Sequence, residues 1–152
     1  MPQNSAFAPH DPDFETRVRQ RFAQQKIMGT IGAALGRVEP GVVEITLPFR
    51  DSLTQQNGFH HAGITSTIAD SAGGCAALTL LPPGINVLTV EYKINLLAPA
   101  AGERFLATGR VVRMGRTLII CEIEVAAIRG GQSVPCAFGL QTVMQLPDPA
   151  PN

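Results

Sequence analysis

A chain of 152 residues suits one domain with a sizeable hydrophobic core. Its 45% apolar content and slightly positive mean hydropathy are high for a soluble monomer, yet no apolar run approaches the ~18 residues that cross a bilayer. The surplus is assigned to surface buried between copies of the chain. Twelve basic residues balance twelve acidic ones, which excludes nucleic acid and anionic lipid as bulk partners and predicts no membrane association.

The opening MPQNSAFAPH has no basic patch followed by an apolar stretch, so no signal peptide is read there. Cys75, Cys121 and Cys136 are odd in number, scattered and set among apolar neighbours. They read as buried free thiols of a reducing compartment, and a cytoplasmic location is expected. The whole chain, 1–152, is read as one domain without repeat or linker, with Pro-rich, frayed ends at 1–9 and 147–152.

In chain order, a short helix is predicted over 11–26. Asp11 is its cap, Pro12 sits in its first turn, and Phe14, Val18 and Phe22 form one stripe. Arg17, Arg19 and Arg21 lie off that stripe, on a solvated face. Residues 37–41 read as a turn, and GVVEITLPF alternates as a strand with Val43, Ile45 and Leu47 on one side. A loop to about His60 precedes a helix from about Ala62 to Leu80, which the PPG at 82–84 stops. Long strands follow: NVLTVEYKINLL with Leu88, Val90, Tyr92 and Ile94 on one face, then a turn at 99–102. RFLATGRVVRM and TLIICEIEVAAI come next, joined by a tight turn at Gly115-Arg116, and VPCAFGLQTVMQ is last. One long helix among antiparallel strands is an α+β arrangement, a sheet curled round a buried helix. Gly73 and Gly74 fit that arrangement. Each costs about 0.5–1 kcal/mol relative to alanine in mid-helix and is tolerated where backbones approach closely.

The stretch NGFHHAGITSTIAD carries the chemistry. The first turn of a helix presents unpaired N–H groups and a partial positive charge, and Ala62-Gly63 leaves them accessible to a carbonyl oxygen. His60 and His61 either shape that turn or simply cap the helix and pack under its loop. Asp70 is either a solvated polar residue or a buried carboxylate with a task. Nine residues from His61 to Asp70 turn through about 900° and span about 13 Å, so one helix cannot aim both at one carbon. A two-fold related copy, with antiparallel helices, brings the acid of one chain to the helix start of the other. The Cys and His residues lack the spacing of a zinc site, no nucleophile elbow occurs, and neither metal nor cofactor is expected. Arg113 and Arg116, flanking a turn, are either solvated or able to hold phosphate groups.

In order and spacing, Gly58, His61-x-Gly63, Asp70, Pro99-Ala100 and Gly115-Arg116-Thr117 resemble the hotdog-fold acyl-CoA thioesterases, in their phenylacetate-pathway (PaaI-like) branch, over roughly residues 30–145. The resemblance implies a five- or six-stranded antiparallel sheet wrapped round the central helix, in homodimers and usually homotetramers, with active sites at the dimer interface. Acyl-CoA is then the substrate, with CoA belonging to it rather than serving as a cofactor, and the acyl group aryl or medium-chain. In the family the acid at the Asp70 position activates water or attacks the thioester, and the N–H at Ala62, with Gly63 and His61 beside it, holds the carbonyl oxygen. Gln55 takes the place of a polar positioning residue, Thr89 that of a Ser/Thr acting across the interface, and residues 113–118 that of the turn touching CoA. Phe59 is expected among the substrate contacts. The chain departs from the family at Ala62, where glycine is commoner, and at Gln55, where asparagine is commoner. His60 has no counterpart. An enoyl-CoA hydratase or dehydratase on the same fold and a non-catalytic acyl-CoA sensor are the rival expectations.

Overall fold

Val43, Ile45 and Leu47 are fully buried, and so are Ile119, Cys121, Ile123 and Val125, four alternating positions of a later strand. Both sets face one helix. The computed structural model describes residues 7–149. In chain order they form α1 (Phe14–Ala23), α2 (Lys26–Ile31), β1 (Ala34–Glu39), β2 (Val42–Pro48), α3 (Ala62–Leu78), β3 (Ile85–Leu96), β4 (Arg104–Met114), β5 (Leu118–Arg129) and β6 (Gln132–Pro147). A six-stranded sheet runs β1-β2-β4-β5-β6-β3, every neighbouring pair antiparallel, with α3 against its inner face.

The contact between α3 and the sheet is made backbone to backbone. A Cβ added at Gly109 of β4 would lie 2.3 Å from the carbonyl carbon of Ala72 and 2.4 Å from the nitrogen of Gly73. The small residues of α3 therefore let a strand lie directly on the helix. Ile68, Ala69, Ala72 and Ala76 complete that face, fully buried.

Several expectations shift by a turn or a strand. The N-terminal helix predicted over 11–26 is two helices, the first starting at Phe14. Asp11 stays outside it, its Oδ1 accepting the Asp13 amide at 2.9 Å. Arg17 is not on a solvated face. It pairs with Asp11 at 2.8 Å and donates to the carbonyl of Leu81 at 2.5 Å, satisfying an acceptor just past the end of α3. That guanidinium holds the Asp11 carboxyl below its usual value. Residues Arg37–Glu39 belong to strand β1; the turn is confined to Pro40-Gly41, where Gly41 has φ +77°. The helix of the central segment ends at Leu78, two residues early.

In β3 the alternation breaks at a bulge between Thr89 and Glu91, which puts Leu88 on the face opposite Tyr92 and Ile94 and leaves Thr89 on theirs. The ends are more ordered than predicted. Phe7 packs on the core beside Gly41, and Pro147 still pairs with Ile85, whereas residues 1–6 and 150–152 lie outside the described residues. All three cysteines are free and buried. No helix among the described residues is long and apolar enough to cross a membrane.

Candidate active site

The start of α3 is set by the loop before it. A bridge joins Thr54 to His60, the Gln55 amide donates to the Phe59 carbonyl at 2.8 Å, and Gly58 turns the chain at φ +81°. His60 lies buried between two phenyl rings, Phe105 at 4.1 Å and Phe49 at 5.2 Å between centroids. Burial pushes its pKa below the ordinary imidazole value, and its Nε2 accepts the Arg50 amide at 3.2 Å. His60 is therefore a structural residue under the loop. His61 caps the helix, its Nδ1 accepting the Gly63 amide at 2.9 Å. Both histidines thus do what the capping alternative supposes, and the Gly63 N–H is engaged. The Ala62 N–H has no acceptor among the described residues, and Ala62 borders a cavity of about 620 Å³ together with Gln55, Phe59, His61, Pro99 and Ala100. The Gln55 side chain folds back to accept the Asn57 amide, which leaves its NH₂ group free for the cavity.

Asp70 lies eight residues further along α3, about 12 Å from Ala62 along the axis. It borders a second cavity of about 430 Å³ together with Ser71, Gly74, Cys75, Arg21 and Leu88. The single chain therefore keeps the helix start and the acid in different cavities. Asp70 is half-buried and anchored on one side only. Its Oδ1 accepts the Thr89 hydroxyl at 2.7 Å and the Gln141 amide Nε2 at 2.6 Å. Thr89, expected to act across an interface, reaches Asp70 within its own chain. Gln141, from β6, is the residue that the sequence analysis missed. It lies 71 positions from Asp70, in a strand whose alternation marks it only as inward-facing.

Cys75, beside the carboxylate, has its thiol pushed up to about 12 by burial and by the Asp70 charge, which leaves it inert as a nucleophile. Cys121 is likewise pushed up to about 12 by burial. No cluster of His, Cys, Asp or Glu among the described residues could hold a metal.

The predicted turn between β4 and β5 forms as expected. The Gly115 amide donates to the Leu118 carbonyl at 2.9 Å, and Gln145 of β6 donates its Nε2 to the Gly115 carbonyl at 2.8 Å. Gln145 pairs with Val87 on β3, so the turn sits at the same end of the sheet as the Asp70–Thr89 pair. Arg113 and Arg116 are exposed there and form no ion pair among the described residues; Thr117 is exposed beside them.

The family profile of the thioesterase superfamily matches residues 57–134, from the helix-start loop into the first residues of β6. The chain belongs to the thioesterase superfamily. A crystal structure of a thioesterase family protein from Silicibacter pomeroyi is 44% identical, superposes with a TM-score of 0.87, and is matched over 89% of this chain and 99% of that one. A relative from Saccharolobus solfataricus, named as a candidate esterase, is 30% identical over 129 residues, 84% of this chain and 82% of that one. Acyl-coenzyme A thioesterase 13 of Pongo abelii is 26% identical over 102 residues, 66% and 71% of the two chains. The thioesterase-superfamily sheet wrapped round α3 is the hotdog fold that the motif order implied. Family and relatives together mark the chain as a hydrolase.

Proposed function

We propose that this thioesterase-superfamily protein hydrolyses an acyl-CoA thioester, aryl or medium-chain, at sites each built from two copies of the chain. The observation that carries this reading is the separation, on one helix, of an unpartnered N–H at Ala62 from a carboxylate at Asp70. Two features of β3 favour a second copy beside it. It is an edge strand of the sheet, and Val90, Tyr92 and Leu96 are 55%, 43% and 57% exposed along it. A two-fold axis beside β3 sets two α3 helices antiparallel and brings each Asp70 to the other's helix start. Dimers, and tetramers built from them, follow from the same apolar surplus. The order of motifs supports the phenylacetate-pathway branch.

In this site the Ala62 N–H polarises the thioester carbonyl and holds the oxygen as it becomes an oxyanion; one such donor is worth about 3–4 kcal/mol of barrier. Asp70 of the other chain either draws a proton from water or attacks the carbonyl carbon, and CoA leaves as the thiolate. Thr89 keeps the carboxylate in place, and Gln55 offers its NH₂ to substrate or water. Arg113 and Arg116, with the backbone of Gly115 and Thr117 between them, receive the phosphates of CoA.

The test is complementation between two dead variants. Ala62→Pro deletes the N–H at the first helical position, where proline is well tolerated, and Asp70→Asn deletes the carboxylate. Each alone loses turnover on a panel of acyl-CoA esters followed by free thiol. Refolded together in equal amounts, they regain about a quarter of wild-type activity, because half of the dimers are mixed and each mixed dimer holds one intact site. Absence of any regain would overturn the shared site, and an Asp70→Asn variant with wild-type kcat/KM would overturn the catalytic reading.

A further inference from the structure

Gln141 is fully buried, yet only one end of its amide is satisfied. Nε2 donates to the Asp70 backbone carbonyl at 3.0 Å and to Asp70 Oδ1 at 2.6 Å, and it lies 3.2 Å from Thr89 Oγ1. Oε1 is buried against Gly73 with no donor among the described residues. The orientation of the amide is not arbitrary. A peptide carbonyl can only accept, so the atom facing the Asp70 backbone must be the nitrogen. The Thr89 hydroxyl spends its single proton on the same Oδ1.

One carboxylate oxygen therefore takes both donors, one from β3 and one from β6, while Oδ2 accepts no hydrogen bond among the described residues and Asp70 borders the cavity. We infer that Gln141 is a positioning residue for Asp70. With Thr89 it ties down Oδ1 so that Oδ2 alone is presented to the substrate. Because the same NH₂ group also grips the helix backbone, Nε2 is itself held in place, and the carboxylate cannot rotate without giving up its bond to that fixed donor. An apolar residue would fill space at this depth without leaving a buried acceptor unmet. An amide with one end left unsatisfied is explained by what its other end delivers. The inference rests on Asp70 being the reacting group.

The test is Gln141→Met, which keeps the length of the side chain and removes both the donors and the orphaned oxygen. The expected result is a kcat lowered about tenfold to a hundredfold, as for a catalytic group held loosely, with KM within about threefold of wild type. The thermal midpoint does not fall, since a buried acceptor without a donor has gone. In an Asp70→Asn background the same substitution adds no further loss, because there is no carboxylate left to position. An unchanged kcat overturns the inference. So does a kcat loss that comes with a lower midpoint and multiplies in full with that of Asp70→Asn, because that pattern is a folding defect. If Asp70→Asn itself keeps wild-type turnover, the functional reading fails and this inference falls with it. If Asp70→Asn is dead while Gln141→Met is fully active, only this inference fails.

Discussion

Gly73 and Gly74 are adjacent in α3 and carry the same intrinsic penalty, so replacing each by alanine separates propensity from packing. In either position alanine recovers about 0.5–1 kcal/mol of helix preference. At Gly74 the new methyl would meet only Val87 Cγ2, at 3.9 Å, which is ordinary contact. The propensity gain is kept, and Gly74→Ala raises the unfolding midpoint by about 1–4 °C. At Gly73 the methyl would stand 1.9 Å from Gln141 Oε1 and 2.8 Å from Ile123 Cγ2. Ile123 is β-branched and fully buried, so it has little freedom to yield. Overpacking of this kind costs about 1–3 kcal/mol. Net of propensity, Gly73→Ala is destabilised by up to about 2.5 kcal/mol, a midpoint lower by up to about 10 °C. The remaining way out is for the Gln141 amide to swing aside, which returns some stability but takes a donor from Asp70. Thermal or urea unfolding at one fixed chain concentration, with acyl-CoA hydrolysis measured beside it, reads both effects. Midpoints that shift in the same direction for the two variants would refute the packing assigned to α3.

Gly109→Ala is predicted to be far worse than Gly73→Ala, because its methyl would meet helix backbone at 2.3 Å rather than a side-chain tip; the helix and sheet must part by about 1 Å, and little folded protein is expected by circular dichroism. His60 gives a pH signature. Burial lowers its folded pKa below the ordinary 6.5, so the stability it contributes is present above that value and is lost as pH falls through the folded pKa. A His60→Phe variant starts less stable at pH 7.5, having lost the Arg50 hydrogen bond, and the gap to wild type narrows as pH falls below about 6.5 in urea midpoints. The double change Arg113→Gln/Arg116→Gln is expected to raise KM for acyl-CoA about three- to tenfold with little change in kcat, the difference shrinking at high salt.

The fold was legible in the sequence where one face is buried and the other wet. Val43, Ile45 and Leu47 alternate because β2 has helix on one side and solvent on the other. The failures have local causes. Strand β1 looked like a turn because its exposed Arg37 and Glu39 run straight into Pro40-Gly41, and the strand holds only through pairing with β2. Arg17 looked solvated because helical spacing says nothing of the carbonyl that Leu81 brings to it from 64 residues away. The face of Leu88 was misread because a bulge adds one residue to β3, and a bulge leaves no mark in a two-residue period.

The candidate site divides along the same line. The helix start could be read because a cap and the groups it leaves bare lie within a few consecutive residues, from His61 to Gly63. His61 and Asp70 stand apart on α3 as the angular argument requires because helix geometry is rigid, whatever surrounds it. What decides how Asp70 is held was invisible, since Thr89 and Gln141 approach it from two different strands. Strands β3 and β6 pair with each other, and their register sets Thr89 beside Val143 and Gln141 beside Tyr92. Only that pairing turns an isolated inward glutamine, among apolar neighbours such as Val143, into a donor aimed at a carboxylate. The glycine at 73 is the one trace of it in the sequence. A helix that gives up a side chain at one position, opposite a buried amide, has made room for that amide to reach the acid one turn away.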